Sequence, residues 1–373
     1  MTRTSPQAGP VAEVGPVTTA GVDAEAEHRR GRVKCVVWDL DNTVWDGILL
    51  EDGEVEVRPL VRDAIVALDE RGILHSVASR NDPDTALRQL ERCGLAEYFL
   101  HPQISWGPKS AALPRIAAAL NIGLDALAFV DDQPFELDEV AFAHPQVTCV
   151  DAAEVATLPD RPEFTPRFVT PESRQRRWMY RSGIERSAAE EDFTGTASEF
   201  LATLGMVFTI RVAREEDLRR AEELTVRTHQ LNSTGVTYSH AELAELSRST
   251  DHLLLVAELE DRYGSYGTIG LALVRTGSPT WLLKLLLMSC RVMSRGVGTV
   301  LLNHVVRRAA DAGAALHAEF VPSDRNRVMY VTYRFAGFEE VGSRDGVQLL
   351  AASPGAIQED PSHLRVIVDE ERR

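Results

Sequence analysis

The sequence predicts an α/β protein of two successive domains, the first built on a parallel sheet. Three observations carry this. From residue 33 to about 150, short apolar strands alternate with helical stretches at the length of strand–helix–strand units. A second alternation of strands and helices starts near residue 204, beyond a stretch rich in Pro, Arg and Glu. With 373 residues, the chain is long enough for two domains that each bury their own core.

The first strand, over 33–38, leads into a loop around 46–53 and a helix over 60–71. A strand over 74–78 and a helix over 83–93 follow, with Gly94 placed to take positive φ just past the helix end. A short strand over 98–101, a helix over 109–120 and a strand over 126–130 complete the domain, set at 32–155. Residues 156–203 read as a helical connector, and 204–348 as the second domain. Its parts are strands over 207–212, 253–259, 267–276, 281–288, 316–321 and 340–341, with helices over 215–228, from the Gly296-Val-Gly298 loop to 312, and over 326–335. Residues 1–31 read as a disordered lead-in and 349–373 as a loose tail.

Composition narrows the function. A net charge of −16 with no basic domain argues against nucleic acid as a partner. The longest apolar run, interrupted by Lys284, is too short to cross a bilayer, and no apolar signal core opens the chain. Of the four cysteines, Cys35, Cys93 and Cys149 sit in apolar or element-terminal contexts that predict buried, inert thiols; a reducing cytoplasm fits. Basic residues gather at Arg174, Arg176, Arg177, Arg181 and Arg186, either a solvated helix face or a docking patch for an anion.

Chemistry concentrates first where strands end. Asp39 and Asp41, spaced i, i+2, leave one strand on the same face, and crowded carboxylates call for a cation of the Mg²⁺ type. Ser79 ends the next strand, Lys109 opens a helix, and Asp131–Asp132 closes the strand over 126–130. A hydroxyl, a cation and a metal-binding pair at the carboxyl ends of one parallel sheet suit phosphoryl transfer. Asn81, two residues beyond Ser79, is either a substrate contact or a helix cap. The ordered set Asp39-x-Asp41-x-Thr43, Ser79, Lys109 and Asp131–Asp132 resembles the haloacid dehalogenase superfamily. The resemblance implies Asp39 as nucleophile, Asp41 as general acid/base, and Ser79 and Lys109 as phosphoryl ligands. It places Mg²⁺ on Asp39, the carbonyl of Asp41, and Asp131, with Asp132 in support. The 40 residues between Asp39 and Ser79 leave no room for a large cap.

A second constellation lies at 285–299, where strand passes to helix through Gly296 and Gly298, whose amides can approach an anion. This segment, with Asn326, Tyr330 and the Tyr333-Arg-Phe-Ala-Gly337-Phe338 run, resembles the GNAT acyltransferases. There Tyr333 matches a tyrosine that often serves as general acid, while Met293 replaces the usual basic or amide residue. Cys290 precedes the loop, beside Arg291 and Arg295; cationic neighbours favour a thiolate able to attack an activated acyl group. His229 and His317 are lesser candidates for its base, whereas His304, two turns into the helix after Gly298, is placed too far from Cys290.

Taken together, Trp38-Asp-Leu-Asp-Asn-Thr-Val-Trp45-Asp-Gly47, Trp106-Gly-Pro-Lys109-Ser, Phe129-Val-Asp-Asp-Gln-Pro-Phe135 and Met288-Ser-Cys290-Arg look like the FkbH-like family of polyketide pathways. That resemblance implies loading of a glyceryl unit from 1,3-bisphosphoglycerate, through Cys290, onto the phosphopantetheine thiol of an acyl carrier protein, with loss of phosphate. Two alternatives stand beside it: a Mg²⁺-dependent phosphatase whose GNAT-like domain only docks a carrier protein, and a coenzyme A-dependent acyltransferase.

Overall fold

A computed structural model describes residues 31–228, 230–277, 279–353 and 358–369, with side chains throughout except that of residue 294. The expected lead-in, apart from Gly31, and His229 lie outside the described residues. The chain divides into two compact units, one ending at Arg167 and the other beginning at Phe168.

In the first unit β1 is Cys35–Trp38, followed by the two-residue strands β2 (Trp45–Asp46) and β3 (Glu56–Val57), with the short helix α1 (Leu49–Asp52) between them. Helix α2 (Pro59–Glu70), β4 (Leu74–Ser79), α3 (Pro83–Arg92) and β5 (Gln103–Ile104) come next. Helix α4 (Lys109–Leu120), β6 (Leu127–Asp131), α5 (Pro134–Ala143) and β7 (Thr148–Asp151) finish the pattern. The sheet order is β5-β4-β1-β6-β7 and every neighbouring pair is parallel. Strands β1, β4 and β6 are buried along their whole length. The apolar runs of β1 and β6 are what a sheet covered on both faces requires, while β4 also buries His75, Ser76 and Ser79. Each fully buried Val, Leu or Phe among them contributes roughly 1.5–3 kcal/mol relative to exposure.

Chain order runs outward from β1 to β4 and β5, then returns to β6 on the other side of β1. The strand order therefore reverses between β1 and β6, and the crevice beyond their carboxyl ends is where ligands of open α/β sheets bind. Between β1 and α2, the elements β2, α1 and β3 form a two-stranded flap.

In the second unit α6 (Pro171–Arg174), α7 (Arg176–Glu191) and α8 (Ala197–Thr203) precede β8 (Met206–Val212). Helices α9 (Leu218–Arg227) and α10 (His240–Arg248) lead to β9 (His252–Asp261), β10 (Gly264–Arg275) and β11 (Thr280–Met288). Helix α11 (Val297–Asp311), β12 (Ala315–Phe320), α12 (Arg327–Phe335), β13 (Phe338–Arg344), β14 (Val347–Ala352) and β15 (Leu364–Asp369) complete it. One eight-stranded sheet runs β13-β14-β12-β11-β10-β9-β8-β15, parallel at β11–β12 and β8–β15 and antiparallel elsewhere. Strands β11 and β12 pair only from Thr280 to Leu283, then part. The segment 231–233 enters the gap: Ser233 N–H donates to Leu286 O (3.0 Å), Met288 N–H to Leu231 O (2.9 Å) and Val321 N–H to Ser233 O (3.0 Å). It satisfies backbone groups that separated strands would otherwise leave without partners.

Several expectations change. The stretch over 349–373 is not a loose tail, because residues 349–352 complete β14 and residues 364–369 pair with Met206–Arg211 of β8 as the edge strand β15. The connector is shared between the two cores: Leu158 and Phe164 pack into the first and Phe200 into the second. Residues 98–101 contain the end of a 3₁₀ turn rather than a strand. Of the three cysteines expected to be buried, only Cys35 is; Cys93 and Cys149 are half-buried. The connector arginines do not form a solvated face either. Arg177 and Arg186 are buried, and Arg186 grips both oxygens of Asp261 (2.6 and 3.0 Å).

Candidate functional site

The phosphate constellation assembles at the carboxyl end of the first sheet. Strand β1 delivers Asp39, whose amide donates to Val130 O across the switch point (2.9 Å). Immediately afterwards the chain turns sharply. Leu40 O accepts from the amides of Thr43, Val44 and Trp45, and Asn42 takes left-handed φ of 54° with its side chain accepting from Gly47 N–H (3.1 Å). Asparagine tolerates that region better than most residues. The turn brings Asp41 back under the flap.

Lys109, at the first position of α4, reaches Asp39 Oδ1 at 2.9 Å and Asp131 Oδ2 at 2.6 Å. All three side chains are nearly inaccessible. Burial pushes the Asp39 carboxyl up to about 7, the Asp131 charge adds to the rise, and Lys109 and Ser79 pull it down. Burial works against the Lys109 ammonium, but Asp39 and Asp131 outweigh it and hold the lysine above its ordinary value. Asp132 is raised by burial first and by Asp131 second, and it accepts from Thr43 Oγ1 at 3.4 Å.

Asp41 stands apart from this group. One of its carboxylate oxygens accepts from the Trp45 indole (2.8 Å) and the Leu49 amide (3.1 Å), the other from Asn81 Nδ2 (3.1 Å). Three donors from the flap and from the β4–α3 loop thus fix its orientation. Asn81 is buried and holds Asp82 N–H through its own oxygen (2.9 Å), while Asp82 caps α3. Asn81 is therefore a support for Asp41, a role that sequence spacing does not reveal. Trp45 and Glu136 were not singled out as site residues. Glu136, buried in the first turn of α5, pairs with Arg80 at 3.1 Å; burial raises its carboxyl while Lys109 and Arg80 lower it.

Asp39, Asp131 and Asp132 each place an oxygen within 4.8 Å of the others. An all-oxygen set with two buried carboxylates and one lysine leaves net negative charge, which fits a hard divalent cation. Magnesium at about 100 times its dissociation constant is expected to stabilise the fold by about 2.7 kcal/mol, raising the thermal midpoint by several degrees. Asp131→Asn should cancel that rise in a melting experiment; an unchanged midpoint in the wild type would count against the site.

In the second unit Cys290 is exposed and opens the 3₁₀ turn Cys290–Arg295. Gly296 ends the turn at φ 76° and caps α11, a conformation that suits glycine. The loop is partly covered: a Cβ at Gly296 would lie 3.4 Å from Pro361, and His363 Nε2 meets Arg295 O at 3.3 Å. Arg291 Nε donates to Ser289 Oγ at 3.4 Å. Gly298 lies in the first turn of α11, against Met288. Tyr333 is wholly buried and packs in the core of the second unit, edge-on to Phe338 at 5.2 Å. His304 is buried on α11 and His317 half-buried on β12.

No protein family and no curated protein sequence matches the chain. Among solved structures it is similar to the N-terminal part of BF1531 from Bacteroides fragilis, which contains a phosphatase domain complexed with Mg, at 28% identity and a TM-score of 0.33. That similarity covers 39% of this chain and 41% of the other. The chain is also similar to the ribosomal-protein-S18-alanine N-acetyltransferase of Escherichia coli, at 19% identity and a TM-score of 0.32, over 42% of this chain and 99% of that one. A third similarity is to the PaiA N-acetyltransferase of Thermoplasma acidophilum in complex with coenzyme A, at 17% identity and a TM-score of 0.32, over 39% and 98%. The functional reading rests on none of these likenesses.

Proposed function

We propose that the protein is a glyceryl transferase and phosphatase of the FkbH-like kind, acting on 1,3-bisphosphoglycerate and an acyl carrier protein. The observation that carries this reading is the pair of reactive groups on one chain. Asp39 is buried against Lys109 and Asp131 beside a fixed Asp41, and Cys290 is an exposed thiol at a turn.

The donor has two phosphates of different chemistry. Its C1 acyl phosphate is an activated acyl group: Cys290 Sγ forms a bond to C1, the C1–O bond breaks, and phosphate departs with the electron pair. Its C3 phosphate is an ester. Asp39 attacks phosphorus, the P–O bond to the glyceryl oxygen breaks, and Asp41 gives that oxygen a proton. Water then opens the aspartyl phosphate, with Asp41 taking its proton, and inorganic phosphate leaves. Ser79 and Lys109 hold non-bridging oxygens through these steps. Magnesium held by Asp39, the Asp41 carbonyl, Asp131 and Asp132 would draw negative charge off the phosphoryl oxygens. Finally the carrier thiol attacks the thioester carbonyl, and Cys290 leaves as thiolate, ready for another donor.

Trp106 and Phe135 support a carrier-borne substrate. They lie in the segments that bring Lys109 and Asp132 to the site, and both are exposed. Exposed aromatic rings beside an uncapped site suit a macromolecular partner.

Intact-mass spectrometry after incubation with 1,3-bisphosphoglycerate is the test. Wild-type protein should gain a glyceryl or phosphoglyceryl mass and lose it on addition of carrier protein. A chain that gains no mass under turnover conditions, or that instead takes an acetyl group from coenzyme A, is not this enzyme.

A further inference from the structure

Helix α5 reaches both residues that would hold a phosphoryl group, in each case through the next residue along the chain. The chain enters α5 from Asp131, whose carboxylate accepts from Gln133 N–H at 2.9 Å. In the first turn, Glu136 Oε1 lies 3.1 Å from Arg80 Nη2, and Glu139 lies 3.9 Å from the same nitrogen. Arg80 directly follows Ser79. Glu139 also accepts from Ser110 Oγ at 2.5 Å, and His144, just past the helix, donates from Nε2 to Ser110 O at 2.9 Å. Ser110 directly follows Lys109.

The helix that carries Lys109 depends on this outside support. Its N-cap is Pro108, which makes no side-chain cap, and its first turn holds no acidic residue. A helix start leaves backbone amides unpaired and carries partial positive charge, which a capping oxygen or a nearby carboxylate ordinarily offsets. In α4 that carboxylate comes from α5, as Glu139 bound to the second residue of the helix. A lysine side chain is a flexible stem, so its ammonium rests where the backbone start and the surrounding charges place it.

Glu136 adds to those charges. It is buried, and among the described residues its Oε2 has no hydrogen-bond partner, an arrangement that a pair serving stability alone would avoid. Burial is the largest influence on its carboxyl. Of the charges that oppose this burial, Lys109 acts more strongly than Arg80, although Arg80 is in direct contact. Glu136 is thus a third carboxylate acting on Lys109, beside Asp39 and Asp131, and it lies outside the candidate metal set. Its charge stays beside the ammonium when Asp39 and Asp131 engage a divalent cation.

We propose that Glu136 and Arg80 are positioning residues of the phosphatase site. Through α5 they fix the spacing between the Ser79 hydroxyl and the Lys109 ammonium, so that both meet one phosphoryl group. The role rests on the phosphatase half of the reading above. A shift of about 1 Å in such ligands costs about 10²-fold in rate, which sets the size of the effect.

Steady-state kinetics of C3 phosphate release and calorimetric titration with orthovanadate test the role, both on the full-length protein in saturating Mg²⁺. Vanadate takes the place of the phosphoryl group and reads the Ser79–Lys109 spacing without turnover. Arg80→Gln should lower kcat about 10²-fold, leave KM within about twofold and weaken vanadate binding in step with kcat. Arg80→Lys, which restores a cation opposite Glu136, should recover most of the loss. Glu136→Gln should match Arg80→Gln, and the double variant should be no worse than either, because the pair acts as one unit. If Glu136→Gln does not fold, Ser110→Ala, which cuts the tie between α4 and Glu139, takes its place, with a loss of about tenfold in kcat. Wild-type kcat and vanadate affinity in Arg80→Gln, with only the melting midpoint lowered, would make the network structural and overturn the proposal. A raised KM at unchanged kcat would make Arg80 a substrate contact and overturn it as well. Either result leaves the phosphatase reading intact. A wild type that neither releases C3 phosphate nor binds vanadate removes that reading, and the positioning role with it.

Discussion

Asp39→Asn is expected to abolish Mg²⁺-dependent phosphate release, by about 10⁴-fold or more, and yet to stabilise the metal-free protein above neutral pH. The first effect follows from removing a covalent nucleophile, for which an amide is no substitute. The second follows from burial. The folded Asp39 carboxyl is pushed up to about 7, against about 3.9 for an unfolded aspartate. Between those values the native state binds more protons than the unfolded state, so stability falls as pH rises. The stability linked to Asp39 is complete below about pH 4 and is lost by about pH 7 to 8. An asparagine has no proton to lose, and Lys109 keeps its 2.6 Å partner Asp131 after the change. Thermal melts in EDTA at pH 5 and pH 8 should therefore show a downward slope for wild type that flattens in Asp39→Asn. Saturating Mg²⁺ should flatten the wild-type slope too, because a metal-bound carboxylate carries no proton. Normal C3 phosphate release by the variant would remove Asp39 from its role.

The meeting of Asp39, Lys109 and Asp131 was legible because these residues follow local rules. Asp39, Ser79 and Asp131 each end a run of apolar β-formers, and Lys109 opens a helix whose limits, Lys109–Leu120, match the expected ones. Helix α5 was invisible for a physical reason. Phe135 and Phe142 are exposed, so its apolar residues form no single stripe. Strand β15 was hidden because its partner β8 lies some 158 residues earlier, and a lone apolar stretch followed by the charged run Asp369-Glu-Glu-Arg-Arg reads as tail. The arginines show the same limit more sharply. Composition leaves Arg186 between a solvated face and a docking patch, and only the fold brings Asp261 to it. Tyr333, which its motif offers as a general acid, lies in the fold among the aromatic rings of Phe320 and Phe338.

Cys290→Ala is expected to eliminate both the covalent adduct and transfer to the carrier thiol while sparing phosphate release at Asp39. Cys290→Ser keeps the shape but offers a hydroxyl in place of a thiolate, and should lower transfer by about 10³-fold or more. The choice among cysteines is set by environment. Burial pushes the Cys35 thiol far above its ordinary range, and it raises Cys149 to about 11 with help from Asp138. Cys93 accepts from Gln89 Nε2 at 3.3 Å beneath the end of α3. Only Cys290, among the four, is exposed. Brief treatment with iodoacetamide should accordingly modify Cys290 first, and peptide mapping would show it. Pre-incubation with 1,3-bisphosphoglycerate should protect that thiol, because an acylated sulfur cannot be alkylated. Protection by donor but not by 3-phosphoglycerate would mark acylation; equal protection by both would mean that bound ligand shields the thiol and that no thioester need form. The two outcomes separate a cysteine that carries the glyceryl unit from one that merely lies beside it.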